Sequence, residues 1–431
     1  MLAAKPSSPP AARPRNVERW LLFVALLATA IFPALSKYQP ATDANVSSPV
    51  AQWVWSVLYL AAFVRLSRMW PELKPLLTRS LGLCVFVALM FLSMVWSTAP
   101  YVTMYNAIEL IGTTVIAYYI VARFTLAEFL EILALAFGTI AILSLAFVFG
   151  APGHGRMDWG TGAWSGIYQD KNNLGASMAL GVISLVMLLV QAKQRARFLI
   201  LGVLGVCVVL LFGSNSATAF ADCLVACMAA LAALACRSRR IGGVSRVVTG
   251  IAIVVVVIAV SIFGFSFDGI FEMLGRGTTL TGRTDFWPYL NQAIADRPLL
   301  GYGYNAFFRS FAGENYLSSY VVEAGGWSPY HAHNSFLQIC LDAGYVGLAL
   351  LLYALAVGFW RALVFLGRER GNVAAWPLAI LLYLVLGSFT ETYLGNYNTF
   401  EWIFFVAAIL YPLKSRAPEA VRSFANRKRF R

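Results

Sequence analysis

The feature that most narrows what this chain can fold into is a succession of apolar stretches, roughly 15 to 25 residues each, that recurs along its whole length. A helix of about 20 apolar residues crosses the hydrocarbon core of a bilayer. A water-soluble interior able to hide so many would need a far larger protein. In lipid the backbone has to satisfy its own polar groups, so the stretches read as helices. The spacing predicts twelve spans, at 19–36, 50–69, 80–97, 104–121, 127–149, 172–191, 198–213, 218–236, 247–265, 335–360, 374–390 and 399–413. Only 12% of the 431 residues are charged, about half the fraction usual in a soluble domain. The spans follow one another too closely for separable soluble modules, and no internal repeat stands out. The expected fold class is therefore an all-α polytopic membrane protein of about twelve transmembrane helices, with short helices in its long outer loop. A transmembrane domain over 19–413 follows a Pro-, Ala- and Arg-rich, disordered N-terminal segment, 1–18, and precedes a basic tail, 414–431.

A formal charge of +13 would ordinarily raise nucleic acid as a partner, but its distribution argues otherwise. With the N-terminus inside, twenty-six of the 33 Lys and Arg residues fall in cytoplasmic segments, among them Arg65, Arg68, Lys74 and Arg79. That is the bias expected of a multi-span protein, and it places both termini in the cytoplasm. The basic tail then suits anionic lipid. Residues 1–18 with the first span also mimic a signal peptide, with Ala34-Leu35-Ser36 as a weak cleavage site. Retention as a first span keeps the charge alternation intact. The six cysteines all lie in or beside apolar spans, without a C-x-x-C, so neither a disulfide nor a zinc site is expected.

The topology gathers four outer segments on one face: 150–171, 213–217, 266–333 and 391–398. They hold all three histidines, His154, His331 and His333. The long loop 266–333 carries four arginines against six acids, so it is not a polybasic surface and each arginine has to be judged by position.

Three stretches concentrate the chemistry. Ser165 to Gly175 closes one outer loop and puts Lys171 and Asn172 at the outer mouth of a helix, where free N–H groups and the helix dipole favour an anion such as a diphosphate. A snorkelling lysine beside a cap is the plainer alternative. Leu280 to Trp287 carries Arg283, whose guanidinium fork fits phosphate oxygens or, equally, an ion pair with Asp285 or Glu272. Trp287, Leu290 and Ile294 have helical spacing, Arg297-Pro298 marks a stop, and Gly301-x-Gly303 supplies a turn with exposed amides. Tyr330-His-Ala-His-Asn-Ser-Phe336 then brings His333 to the membrane boundary, where an imidazole can accept or orient a proton near neutral pH. His331, two residues away on an extended segment, would point to the same side. No cysteine or carboxylate completes a recognisable zinc set with them. As isolated residues both histidines read slightly better as structural. Glu109 and Asp222 lie within spans, where a packing hydrogen bond and a site role are equally open.

Taken together, these stretches resemble the bacterial polysaccharide polymerase and O-antigen ligase superfamily, the Wzy- and WaaL-type proteins. The pattern is His333-Asn334 followed by Gly344-x-x-Gly347, preceded by Gly282-Arg283 with Trp287. Lys171-Asn172 with Leu174-Gly175, Thr281 to Thr284 and Arg297 to Gly303 are similar to the ExoQ-type exopolysaccharide polymerases. The resemblance implies a GT-C-like glycosyltransferase of the bacterial inner membrane, working at the periplasmic face. Its donor would be a glycan on undecaprenyl diphosphate and its acceptor a glycan or lipid-linked glycan. No metal, nucleotide sugar or other cofactor would be needed, and export or chain-length proteins are possible partners.

On the same grounds His333 becomes the candidate base and Arg283 a ligand of the departing diphosphate, with Lys171 as a second cation. Asn172, Asn334, His331, Arg156, Ser214, Asn215 and Ser216 complete the candidate substrate-binding set. One departure bears on the choice within the superfamily. Ligases commonly carry an arginine in the short turn before the eighth span, and here Phe212 to Thr218 offers only Ser214, Asn215 and Ser216. Polymerase is thus the expected activity, O-antigen ligase the alternative, and a lipid-linked glycan flippase the alternative of a different class. A transporter would place its polar site at the midplane on broken helices, whereas this chain places its polar residues outside.

Overall fold

The computed structural model describes residues 14–36, 49–157, 162–237, 285–324, 326, 328–369 and 371–414. Among them every regular element is helical. They are α1 (Asn16–Ser36), α2 (Pro49–Ser67), α3 (Trp70–Arg79), α4 (Leu81–Leu92), α5 (Pro100–Arg123), α6 (Leu126–Gly150), α7 (Pro152–Gly155), α8 (Lys171–Leu189), α9 (Gln194–Gly213) and α10 (Ala217–Cys236). They continue with α11 (Trp287–Asp296), α12 (Phe311–Glu323), α13 (Ser335–Arg368), α14 (Trp376–Gly387) and α15 (Phe400–Leu410). Seven helices are long and apolar enough to cross a membrane, or eight if the bent pair α3–α4 is one span, and α14 and α15 are shorter apolar helices. The chain is an all-α polytopic membrane protein. The ninth predicted span, 247–265, lies outside the described residues, as do most of the N-terminal segment and of the basic tail.

Sequence dictates where these helices begin. Thr125 and Glu128 form a reciprocal capping box at the start of α6. Asp170 caps α8, Asn334 caps α13 and Thr399 caps α15, each through a side-chain oxygen that accepts first-turn N–H groups. One element was not expected. Ahead of the third span, α3 meets α4 at 84°, with Leu73 and Leu76 buried beneath Glu72, Lys74 and Arg79. Its apolar stripe is too narrow for a span and fits the edge of a membrane domain.

The aromatic core sits around α15, nearly every residue of which is buried. Phe404 packs against Phe129, Phe137 and Trp376. Enclosure by other helices, rather than lipid, explains why so short a helix is apolar all round.

The two ends of the bundle differ. At one, Glu18 pairs with Arg123 at 2.7 Å and Arg65 at 3.3 Å, and Arg19 reaches Glu131 at 2.7 Å. There Lys414 Nζ donates to the carbonyls of Val121 and Phe124, and Arg237 to that of Glu369, which satisfies helix C-termini. Every one of these cations belongs to a segment predicted as cytoplasmic. The opposite end holds the described parts of the loops predicted as outer, together with α11 and α12. Leu290, Ala293 and Ile294 of α11 pack with Leu317 and Tyr320 of α12 in a small core of their own. The helix expected from Trp287 to the Arg297-Pro298 stop is present as α11, with Pro288 tolerated in its first turn. The stretch 310–328, which carried no reading in the sequence, contains α12.

Candidate functional site at the histidine end of the bundle

The long helix α13 is broken eight residues in. Ala343 and Gly344 leave helical geometry, Gly344 with φ +63°. The break opens the two backbone bonds that would join Tyr345 to Leu341 and Val346 to Asp342. Residues 298–303 re-pair all four groups. Tyr302 N donates to Leu341 O at 2.7 Å and Gly303 N to Asp342 O at 3.0 Å, while Tyr345 N donates to Pro298 O and Val346 N to Leu299 O. A broken helix in an apolar domain survives only if its freed groups find partners. The glycines make the approach possible. A Cβ on Gly344 would stand 2.2 Å from the Leu299 carbonyl, and one on Gly301 2.4 Å from Leu341 O. The Gly301-x-Gly303 amides are therefore not exposed, as expected from sequence: those of Tyr302 and Gly303 are spent on this seam, and Gly301 N donates to Arg297 O at 3.2 Å. Asp342 closes it by accepting from Asn305 N and from Gln338 Nε2, both at 3.0 Å. Behind it, Tyr302 donates its hydroxyl to Ala293 O at 2.8 Å, and burial pushes that phenol's pKa up, which keeps it a donor.

The seam fixes the start of α13, and there the histidines meet. His333 has φ +48°, a left-handed conformation that costs a non-glycine residue about 1–3 kcal/mol and persists only where its surroundings enforce it. Three contacts do so. His333 N donates to His331 Nδ1 at 3.0 Å, the His333 ring meets Glu391 Oε2 through Nδ1 at 3.2 Å, and Asn334 caps the helix while its Nδ2 donates to Phe389 O. The two rings lie 3.9 Å apart. They converge through a turn, not along the extended segment that sequence suggested. Ser335 ties the loops together by accepting from Tyr393 N and Leu394 N and donating to Glu391 O.

Hydrogen bonding distinguishes the two imidazoles. His331 Nδ1 faces the His333 N–H and the Thr392 hydroxyl at 3.3 Å, so it acts as an acceptor and its proton belongs on Nε2. His333 Nδ1 faces a carboxylate, so its proton belongs on Nδ1 and Nε2 keeps the lone pair. Both side chains of the His333–Glu391 pair are nearly buried, at 12% and 10% exposure.

Glu391 is the residue that sequence reading missed. It opens the outer turn 391–398 and supplies the carboxylate that the histidine pair was held to lack. Its oxygen and the imidazole nitrogens of His331 and His333 all lie within 4.8 Å of one another, a ligand set able to hold a metal ion. The only signal in the sequence was an acid at the mouth of a span on the histidine face.

The other expected residues are placed differently. Lys171 is the first residue of α8, but the Asn172 and Asn173 amides, the donors expected to greet an anion, are taken by Asp170 at 2.8 and 2.9 Å. Arg156, just past α7, folds back on the end of α6, giving Nε to Val148 O at 3.2 Å and lying over the Phe149 ring. Ser214 donates to Leu211 O and accepts from Ser216 N; with Asn215 at φ +53° these residues form a tight turn packed on Gly175 of α8. That turn does bring Ser214 to Ser216 beside the α8 mouth. Arg283 lies outside the described residues. Of the two acids in spans, Asp222 is buried near Tyr383 and Tyr393, and Glu109 is buried beside Tyr105.

Fold and candidate site together define a multi-pass membrane protein with a carboxylate-bound histidine beside a broken helix at one end of its bundle. Residues 200–352 match the O-antigen ligase family model. Over 323 residues the chain is 28% identical to the exopolysaccharide production protein ExoQ of Rhizobium meliloti (strain 1021), covering 70% of this chain and 71% of that protein. Shorter matches reach putative polysaccharide ligases: 39% identity over 70 residues in Rickettsia prowazekii (16% of this chain, 17% of that protein), and 27% over 103 residues in Rickettsia bellii (24% and 25%). The chain is thus similar to proteins of polysaccharide ligation and exopolysaccharide production, in line with the resemblance its motifs carry.

Proposed function

We propose that the protein polymerises glycan repeat units carried on undecaprenyl diphosphate, at the periplasmic face of the inner membrane and without a metal. The observation that carries this reading is the His333–Glu391 contact. It leaves Nε2 of a geometrically fixed imidazole to take the proton of an acceptor hydroxyl. That oxygen attacks the anomeric carbon of the donor, the bond to undecaprenyl diphosphate breaks, and the diphosphate leaves with the electron pair. So good a leaving group needs no strong acid; it needs cations and N–H donors at the departing charge. Arg283 of the Gly282-Arg283 motif and Lys171 are the cations proposed for it. Glu391 holds the imidazole in its productive tautomer and stabilises the imidazolium that forms.

Similarity to ExoQ over most of the chain supports polymerase, and the absence of an arginine between Phe212 and Thr218 agrees with it. The ligase-type match over 200–352 supports the second reading, a single transfer to an acceptor such as lipid A core. Purified protein with a defined lipid-linked oligosaccharide separates them: polymerase yields a ladder of lengths, and ligase yields one transfer that requires the second acceptor. Chelation is expected to leave the rate unchanged. Loss of activity with a chelator, restored by a divalent cation, would make His331, His333 and Glu391 metal ligands instead.

A further inference from the structure

One face of α5 looks into the same end of the bundle. Thr103, Asn106, Glu109 and Thr113 recur at three- and four-residue spacing, and all four are buried. The outer two are engaged. Thr103 Oγ1 donates to Tyr304 O at 3.0 Å, and Thr113 Oγ1 donates to Asn398 Oδ1 at 2.9 Å while accepting from Asn398 N. Between them, Asn106 Nδ2 and Glu109 Oε2 are buried without a hydrogen-bond partner among the described residues, and each residue is at most 4% exposed. Glu109 Oε1 accepts from the Tyr105 hydroxyl at 3.1 Å. Arg309 lies close enough for its charge to act on both Glu109 and Tyr397.

A lone buried donor or acceptor destabilises the fold, and here one of each stands about one helical turn apart. Two packing groups would have been expected to pair with each other. A single hydroxyl, which donates and accepts at once, satisfies both, and vicinal hydroxyls do so with less demand on geometry. The setting of tyrosines, an amide, a carboxylate and a guanidinium suits a hydroxyl-rich ligand with apolar faces. The turn that borders the pair at Asn398 begins at Glu391, the partner of His333, so one short segment joins this face to the histidines.

We propose that Asn106 and Glu109 form a sugar subsite that grips ring hydroxyls of the glycan substrate, with Tyr105, Arg309 and Tyr397 as its walls. The proposal deepens the glycan-transfer reading and rests on it for the identity of the ligand. It makes the pair a determinant of which repeat unit is accepted, separate from the residues that move the proton.

The test compares wild type, the double variant Asn106→Leu/Glu109→Leu, Glu109→Gln and His333→Ala in nanodiscs. Thermal stability is read alongside binding of a repeat-unit oligosaccharide freed from its lipid diphosphate by mild acid, followed by saturation-transfer NMR. Removing two unpartnered polar groups should leave the double variant at least as heat-stable as wild type. Its oligosaccharide affinity should fall about tenfold or more, the loss of one hydrogen bond to a charged group. KM for the lipid-linked substrate should rise in step, whereas His333→Ala should bind normally and fail to transfer. A stable double variant with wild-type affinity and KM would overturn the proposal, as would a wild type that does not bind the oligosaccharide. If the leucines prevent folding, Glu109→Gln decides by the same two readouts. A wild type that binds the oligosaccharide but never transfers the lipid-linked substrate would sink the transferase reading alone, because the binding difference still judges the subsite.

Discussion

Two helices open on the histidine end of the bundle, and their first turns are built to different ends. α8 begins at Lys171 behind Asp170, whose carboxylate takes two amides and neutralises the positive end of the helix. It then runs without interruption. α13 begins at Ser335 behind Asn334, a neutral cap that satisfies two amides and leaves the dipole uncompensated. Just before it stands the left-handed His333, and eight residues inside it the ladder is broken and re-paired to another segment. The first terminus is stable and electrically closed; the second carries strain, a titratable ring and a residual positive field. Stored strain belongs where geometry has to be held for chemistry. Under the proposed function, the comparison favours the α13 mouth for the reaction and the α8 mouth for a supporting role.

The largest effect is expected from His333→Ala. If the α13 mouth does the chemistry, losing its base slows glycan transfer about 100- to 10,000-fold while the protein still inserts and folds. In vitro chain-length analysis checks this, and normal ladders from a well-expressed variant would remove His333 from its role. His331→Ala should cost less, because its Nδ1 is occupied by backbone and hydroxyl donors. A greater loss there would mean that the acting imidazole is His331.

Gly344→Ala comes next, and it tests the break itself. A left-handed alanine alone costs about 1–3 kcal/mol, and its Cβ would meet backbone that cannot swing aside. The seam should then open, with lower thermal stability and lost transfer together. The matching change at the uninterrupted helix, Gly181→Ala, meets only the Phe137 ring at 3.0 Å, so it should cost less. Equal losses at the two glycines would show that the break in α13 is not special.

Much of the frame was legible in the sequence, and the reason is physical. Apolar length and the inside bias of arginine depend on local composition, so the helices of the described region fall close to the expected spans. Trp287, Leu290 and Ile294 carried helical spacing that α11 follows. The glycines at 301, 303 and 344 were visible as a pattern, but not as partners, because their meaning is a backbone seam between distant segments. Glu391 was harder still. An acid at the mouth of a span looks like any cap until the fold brings it to a histidine 58 residues away. Lys171 erred in the other direction: one residue of context, Asp170, withdraws the amides that made its position attractive to an anion.

Glu391→Gln sharpens the comparison on the α13 side. The amide keeps the shape but not the charge that holds the imidazolium, and a hydrogen bond to a charged group is worth about 1.5–3 kcal/mol. A fall in kcat of roughly 10- to 100-fold with KM little changed is expected, and partial recovery with Glu391→Asp would mark a positioning carboxylate. If KM rises and kcat holds, Glu391 contacts substrate rather than His333.

The smallest effect belongs to the α8 mouth. Asp170→Ala removes a cap worth about 0.5–2 kcal/mol and frees the Asn172 and Asn173 amides beside Lys171. Heat stability should drop slightly, yet the exposed helix end becomes more attractive to an anion. If Lys171 helps to hold the departing diphosphate, KM should stay level or fall by a few-fold, within the roughly 0.3–1 kcal/mol of a helix-end charge effect. Lys171→Ala should raise it by a similar factor. A loss as deep as that of His333→Ala from either change would reverse the assignment and move the reaction to the closed terminus.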